Sequence, residues 1–180
     1  MKQDFDLKHS TISLIGMPGA GKSTVGIILA KQCGMRFVDT DVDIQIEAGA
    51  TLQQILDQHG HLHLRELEQR VLLNVDIDHA VISTGGSVIY SPTIMARLNK
   101  AGPIIYLEAE LSVLAERVAA APPRGIASDN ADSFADIFAE RTPWYQHYAD
   151  IRIRTDQGNA DQVADTIKTL VHALPHPASS

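Results

Sequence analysis

Residues 16–23 read Gly-Met-Pro-Gly-Ala-Gly-Lys-Ser, a complete match to GxxxxGK[ST]. Each residue type in that pattern acts on an anion. Glycines let the main chain adopt positive φ and approach a phosphate closely. The N–H groups of the loop, and of a helix opening behind it, present positive partial charge. Gly16, Gly19, Ala20 and Gly21 are therefore candidates to cradle a phosphate chain, joined by Ser23 and Thr24 in the first helical turn. Lys22 adds a full charge beside a transferring phosphoryl group, and the Ser23 hydroxyl suits Mg2+. The pattern means most between a strand and a helix. Thr11 to Ile15 reads as a buried strand and Lys22 to Cys33 as a helix stopped by Gly34. In that setting the segment implies a nucleoside triphosphate with Mg2+. The alternative is a glycine-rich turn with an exposed lysine.

Several other polar residues fall where a second ligand would need them. Asp39 and Asp41 follow a short strand, where ligands of open α/β sheets bind. Asp39 can reach a hydrated Mg2+, and Asp41 can accept the proton of a substrate hydroxyl. The same residues can simply cap the next helix. Arg65 and Glu68 share a helical face. Either Glu68 holds Arg65 while its guanidinium forks onto a carboxylate, or the two form a solvated pair. Gly85 and Gly86, followed by Ser87, end another buried strand. They permit close approach by a ligand or make a tight turn, and Ser83 ahead of them can touch the Mg2+ shell. Arg117, Arg124 and Arg141 concentrate cations in and around one loop, where Arg124 can act as a finger in cis. His59, His61 and His63 do not converge on one helical face and have no cysteine partners, which argues against a metal site.

The elements that must position these residues alternate between strand and helix, the signature of a mainly parallel sheet. Strands are expected at Met35 to Val38, Ala80 to Ser83, Pro103 to Leu107 and Ile151 to Arg154. Helical patterns fill Val42 to Ile77, with a capping box at Thr51 and Gln54 and a longer helix over Leu62 to Asn74. Further helices are expected from Ser91-Pro92 to Gly102, over Leu111 to Ala120, over Phe134 to Tyr148 with a kink or restart at Pro143, and from Asn159 to Ala173. Residues 121–133 lack periodicity and read as a lid loop, and 174–180 as a frayed tail.

The 180 residues suit one domain, with its core over about 11–173. A net charge of −7 argues against nucleic acid and anionic membranes, so any anion must be bound by local devices. No apolar run is long enough to span a bilayer, and the polar opening lacks a signal core. The single cysteine, Cys33, fits the cytoplasm and is expected to pack as a small apolar group.

Taken together, these segments resemble the shikimate kinase family, small P-loop enzymes like the nucleoside monophosphate kinases. GMPGAGKSTVG is similar to the family's phosphate loop, and FVDTD to its aspartate segment, with Asp39 near Mg2+ and Asp41 on the substrate hydroxyls. LRELE resembles the segment whose arginine holds the substrate carboxylate, here Arg65 with Glu68 behind it. ISTGGS resembles the glycine-rich substrate loop, here Gly85 and Gly86, and ERTPWYQHYAD the second carboxylate-binding segment, here Arg141. By the same resemblance Arg117 flanks the adenine and Arg124 is the lid arginine. The implied fold is α/β, three layers around a parallel five-stranded sheet flanked by helices. The implied reaction is phosphorylation of shikimate by ATP with Mg2+, in a cytoplasmic monomer. The alternatives are a related kinase for another hydroxy acid or sugar acid, and a non-catalytic nucleotide-binding module. Three departures stand out: Ser87 replaces a third glycine, Arg124-Gly125-Ile126-Ala127 replaces Arg-Pro-Leu-Leu, and Leu64 replaces an aromatic. Ser87 is expected to narrow the substrate pocket and Gly125 to loosen the lid.

Overall fold

Parallel strands need long crossovers, and the helical segments between the apolar runs supply them. The computed structural model describes residues 11–122, 125–126 and 133–174. Strands β1 (Thr11–Ile15), β2 (Arg36–Asp39), β3 (Ala80–Ser83), β4 (Ile104–Glu108) and β5 (Ile151–Arg154) form one sheet in the order β2-β3-β1-β4-β5, every pair parallel. Helices α1 (Lys22–Cys33), α2 (Thr40–Ala48), α3 (Leu52–Asn74), α4 (Pro92–Ala101), α5 (Leu111–Ala120), α6 (Phe134–Tyr148) and α7 (Ala160–Ala173) flank it, with a 3-10 turn at Val88–Tyr90. β1 and β3 are buried at every residue, as central strands covered on both faces must be. The buried Thr11 hydroxyl donates to the Ile77 carbonyl at 2.7 Å.

Two apolar clusters form. The larger joins the sheet to α1, α4 and α7; Cys33 is buried in it, and burial pushes its thiol pKa up. The smaller, Ile44, Ile55, Leu64, Leu67 and Val71, lies between α2 and α3. These two helices thus form a lobe with its own interior, carrying Asp41, Arg65 and Glu68.

β4 is shifted by one residue, to Ile104–Glu108, α3 starts at Leu52 rather than Leu62, and three other elements depart from expectation. β2 begins at Arg36 rather than Met35, whose side chain is buried. α2 begins at Thr40 rather than Val42, because Asp39 caps it by accepting from the Asp41 N–H at 3.1 Å. α6 runs unbroken through Pro143, where the Thr142 hydroxyl donates to the Phe138 carbonyl at 2.7 Å. The tail at 175–180 lies outside the described residues. Among those described, no helix is long and apolar enough to cross a membrane.

Gly60 divides α3, with φ 80 and ψ 175 inside the helical run. Only glycine occupies that region readily. The break sets the direction of the second half of α3, which carries Arg65 and Glu68. A Cβ there would meet nothing within 4 Å, so the cost of adding one is backbone strain alone. Gly60→Ala should therefore lose about 1–3 kcal/mol in urea denaturation. An unchanged midpoint would show that the break is not held by the fold.

Candidate active site

The sheet register brings three strand ends abreast, with Ser83 paired to both Leu14 and Asp39. The glycine loop, the Asp39–Asp41 segment and the Gly85-Gly86 loop therefore leave the sheet side by side. α1 opens at Gly21 (φ 90), with no side-chain cap and no acidic residue in its first turn. Its first N–H groups face a cavity of about 460 Å³ lined by residues 19–25, Arg117, Thr155 and Asn159. Lys22 is buried, and its ammonium donates to the carbonyls of Gly16 at 2.8 Å and Met17 at 3.0 Å. The exposed Arg117 ties the loop to the end of β5, donating to Gly19 O at 3.2 Å and Thr155 O at 3.1 Å.

The Ser23 hydroxyl donates to Asp39 Oδ2 at 2.6 Å and lies 3.2 Å from Ser83 Oγ. Asp39 thus caps α2 with one oxygen and meets Ser23 with the other. One carboxylate and two hydroxyls suit Mg2+, which prefers oxygen ligands and is usually shared with substrate phosphates. These residues fit the ion. Among the described residues no group of three or more His, Cys, Asp or Glu is placed to hold a metal.

A second pocket adjoins the first. Its walls are Lys22, Asp41, Glu68, Gly85, Gly86, Ser87 and Arg141, with Leu52, Gly125 and Ile126 beside them. Lys22 and Asp41 line both pockets. A Cβ on Gly85 would overlap Glu68 Oε1 and sit 3.1 Å from Asp41 Oδ1, so two carboxylates converge above the glycine. Ser87 lines the pocket, but its hydroxyl turns to Glu68 and donates to Oε2 at 2.5 Å. A Cβ on Gly125 would lie 2.6 Å from the Leu52 carbonyl, so glycine permits close contact with the start of α3.

Of the expected site residues, Arg141 is on the wall of this second pocket and 1% exposed, with Nη1 2.9 Å from where a Gly86 Cβ would be. Arg65 is not on that wall. It lines a neighbouring recess with Glu68, Ser87 and Tyr90. Arg124 lies outside the described residues.

Four further residues shape the site. Thr40, fully buried, donates to Ser83 O at 3.3 Å and accepts from the Gly85 N–H at 3.1 Å. The Thr84 hydroxyl donates to Leu14 O at 2.9 Å, pinning the glycine loop's strand to its neighbour. The Tyr145 hydroxyl donates to Gly86 O at 2.5 Å. Tyr145 lies one turn after Arg141, so helical spacing alone could have placed both on one face. Thr155 is the fourth, and only its position at a strand end could have marked it.

Glu68 is buried, and its Oε1 has no hydrogen-bond partner among the described residues. Burial raises its pKa to about 7; the Ser87 bond opposes this, the Asp41 charge adds to it, and Arg141 and Arg65 pull it down. The burial also excludes a solvated Arg65–Glu68 pair.

The shikimate kinase family model matches residues 18–172. The chain belongs to the shikimate kinase family. A shikimate kinase from Nitrobacter winogradskyi is 34% identical, covering 92% of this chain and 78% of the relative. One from Francisella philomiragia is 31% identical over 92% of this chain and 96% of the relative. The solved structure of a shikimate kinase from Acinetobacter baumannii in complex with shikimate superposes with a TM-score of 0.82 at 29% identity, covering 92% of this chain and 94% of that one.

In this family member the raised Glu68 pKa fixes a pH dependence. The folded state holds the proton more tightly than the unfolded chain, so stability is greatest below the unfolded value near 4.5. It falls as pH rises through about 7. Relative to Glu68→Gln, the wild type should therefore lose stability over that window in urea denaturation at fixed salt. A flat difference would reject a perturbed Glu68. Ser87→Gly removes the bond that lowers this pKa and should move the window upward.

Proposed function

We propose that the protein transfers the γ-phosphoryl group of ATP to a hydroxyl of shikimate, giving ADP and 3-phosphoshikimate. The observation that carries this reading is the meeting of the two pockets at Lys22 and Asp41. A donor chain held by the uncapped start of α1 ends where an acceptor held by Arg141 and the Gly85-Gly86 loop begins. The membership of the family and the shikimate complex of a structural relative favour shikimate as that acceptor.

Each step then falls to a named group. Asp41 orients the attacking hydroxyl and receives its proton as the new O–P bond forms and the bond to ADP breaks. Lys22 leaves the Gly16 and Met17 carbonyls for phosphate oxygens and offsets the charge of a loose, in-line transition state. Mg2+ held by Ser23 and Asp39 supplies further neutralisation of phosphate charge when bound. Arg117 borders the base of the nucleotide, and Arg124 is the lid arginine. Arg141 forks onto the acid's carboxylate, a charge-assisted pairing, with Arg65 beside it. Both pockets are built from one chain, so a monomer suffices; the single cysteine suits the cytoplasm.

The acid pocket offers about 40 Å³, room for no more than a few waters. Leu52, Gly125 and Ile126 must separate for a seven-carbon acid to enter, and closing again excludes the water that competes as phosphoryl acceptor.

A coupled ADP-release assay across shikimate, quinate, gluconate and homoserine tests the reading. Shikimate should be turned over far above the water background, and rapid turnover of another acceptor in its place would remove it. Lys22→Ala should lower kcat by orders of magnitude. Arg141→Lys keeps the charge but loses the fork. It should raise the KM for shikimate by roughly tenfold to a hundredfold while KM for ATP moves less than about twofold; an unchanged KM would remove Arg141 from the pocket's function.

A further inference from the structure

The two arginines of the acid reading meet on one aromatic ring. The 3-10 turn Val88–Tyr90 follows the Gly85-Gly86-Ser87 loop directly, and the Tyr90 N–H donates back to Ser87 O at 3.0 Å. The guanidinium carbon of Arg65 stands 3.9 Å from the centre of the Tyr90 ring, and that of Arg141 5.4 Å. Arg141 Nε donates to the Tyr90 hydroxyl oxygen at 3.4 Å, and that hydroxyl in turn donates to Glu140 Oε1. Leu64, beside Arg65 in sequence, is buried in the small cluster of the α2–α3 lobe, so Arg65 takes its aromatic face from a different element.

We propose that Tyr90 is a positioning residue for carboxylate recognition, its ring fixing the plane of Arg65 and its hydroxyl fixing Arg141. The proposal rests on the reading of these arginines as acid-binding. A guanidinium recognises a carboxylate through two parallel N–H bonds and must hold its plane in one orientation to do so. Stacking covers one face of Arg65 and restricts its rotation. With Nε of Arg141 on the Tyr90 hydroxyl, its Nη1 stands beside Gly86 on the pocket wall. Because Tyr90 ends the turn that directly follows Gly85 and Gly86, the loop and both cations are registered to one short segment of backbone. Burial and the bond to Glu140 raise the Tyr90 pKa, so its hydroxyl keeps its proton at neutral pH.

The test is steady-state kinetics of the full chain, varying shikimate and ATP separately, for Tyr90→Phe, Tyr90→Leu and Tyr90→Leu combined with Arg65→Ala. Tyr90→Phe keeps the ring and loses only the hydroxyl; its KM for shikimate should rise about two- to tenfold. Tyr90→Leu loses both and should rise further, by roughly tenfold to thirtyfold, with KM for ATP within about twofold of wild type. Its effect should shrink when Arg65 is already alanine. A folded Tyr90→Leu with wild-type KM for shikimate, an equal rise in both KM values, or the same fold-effect in the Arg65→Ala background would overturn the assignment. Wild-type turnover of shikimate in the same assay separates the two claims. Its absence would remove the acceptor reading, whereas turnover with an unshifted KM in Tyr90→Leu removes only the role of Tyr90.

Discussion

An α-helix begins with N–H groups that its own turns cannot satisfy, and something must answer them. In this chain α2, α3, α4, α6 and α7 are answered by side chains: Asp39, Thr51, Ser91, Ser133 and Asn159. α1 has neither such a cap nor an acidic residue in its first turn, and Gly21 swings the chain into it with positive φ. The partial charge left at that end faces the larger cavity, where an anion is the complementary occupant. The rest of the site is arranged around that unmet demand.

Parallel pairing does the arranging. Because Leu14, Ser83 and Asp39 are level in the sheet, the loops leaving β1, β3 and β2 are neighbours despite their separation in sequence. Thr40 and Thr84 hold that alignment with side-chain bonds between the strand ends, so the loops need no rigidity of their own. Asp39 shows how economical the arrangement is. One carboxylate oxygen starts α2 and the other meets Ser23, so capping the helix leaves an oxygen turned to the glycine loop's serine.

The phosphate loop, the strand and helix order and the capping boxes were legible in sequence because each is a local pattern, with the cause and the effect within a few residues. What could not be read depends on side chains from distant elements. Spacing put Arg65 and Glu68 on one face but gave no measure of the burial that raises the Glu68 pKa, nor of the Ser87 bond that opposes the rise and the Asp41 charge that adds to it, both arriving from other elements. Ser87 as an extra hydroxymethyl implied a narrower pocket, but its bond to Glu68 at the wall depends on a distant helix and could not be read. Tyr90 carries no motif, and only the folded chain sets its ring beside both arginines.

The division into two apolar clusters bears on how such a site can both open and react. Glu68 and Asp41 belong to the lobe formed by α2 and α3, while Lys22, Ser23 and the glycine loop belong to the sheet and its main core. The second pocket is therefore lined from both packed bodies, with Asp41 and Glu68 from the lobe and Lys22, Gly85, Gly86 and Arg141 from the other side. Packed interiors resist deformation, so any widening of the acid pocket falls at the seam between them rather than within either. Gly125 touches the lobe at Leu52, on the acid-pocket side of that seam. Lys22 and Asp41 stand where the two bodies meet, each held in its own scaffold, so the two pockets share a boundary drawn from both.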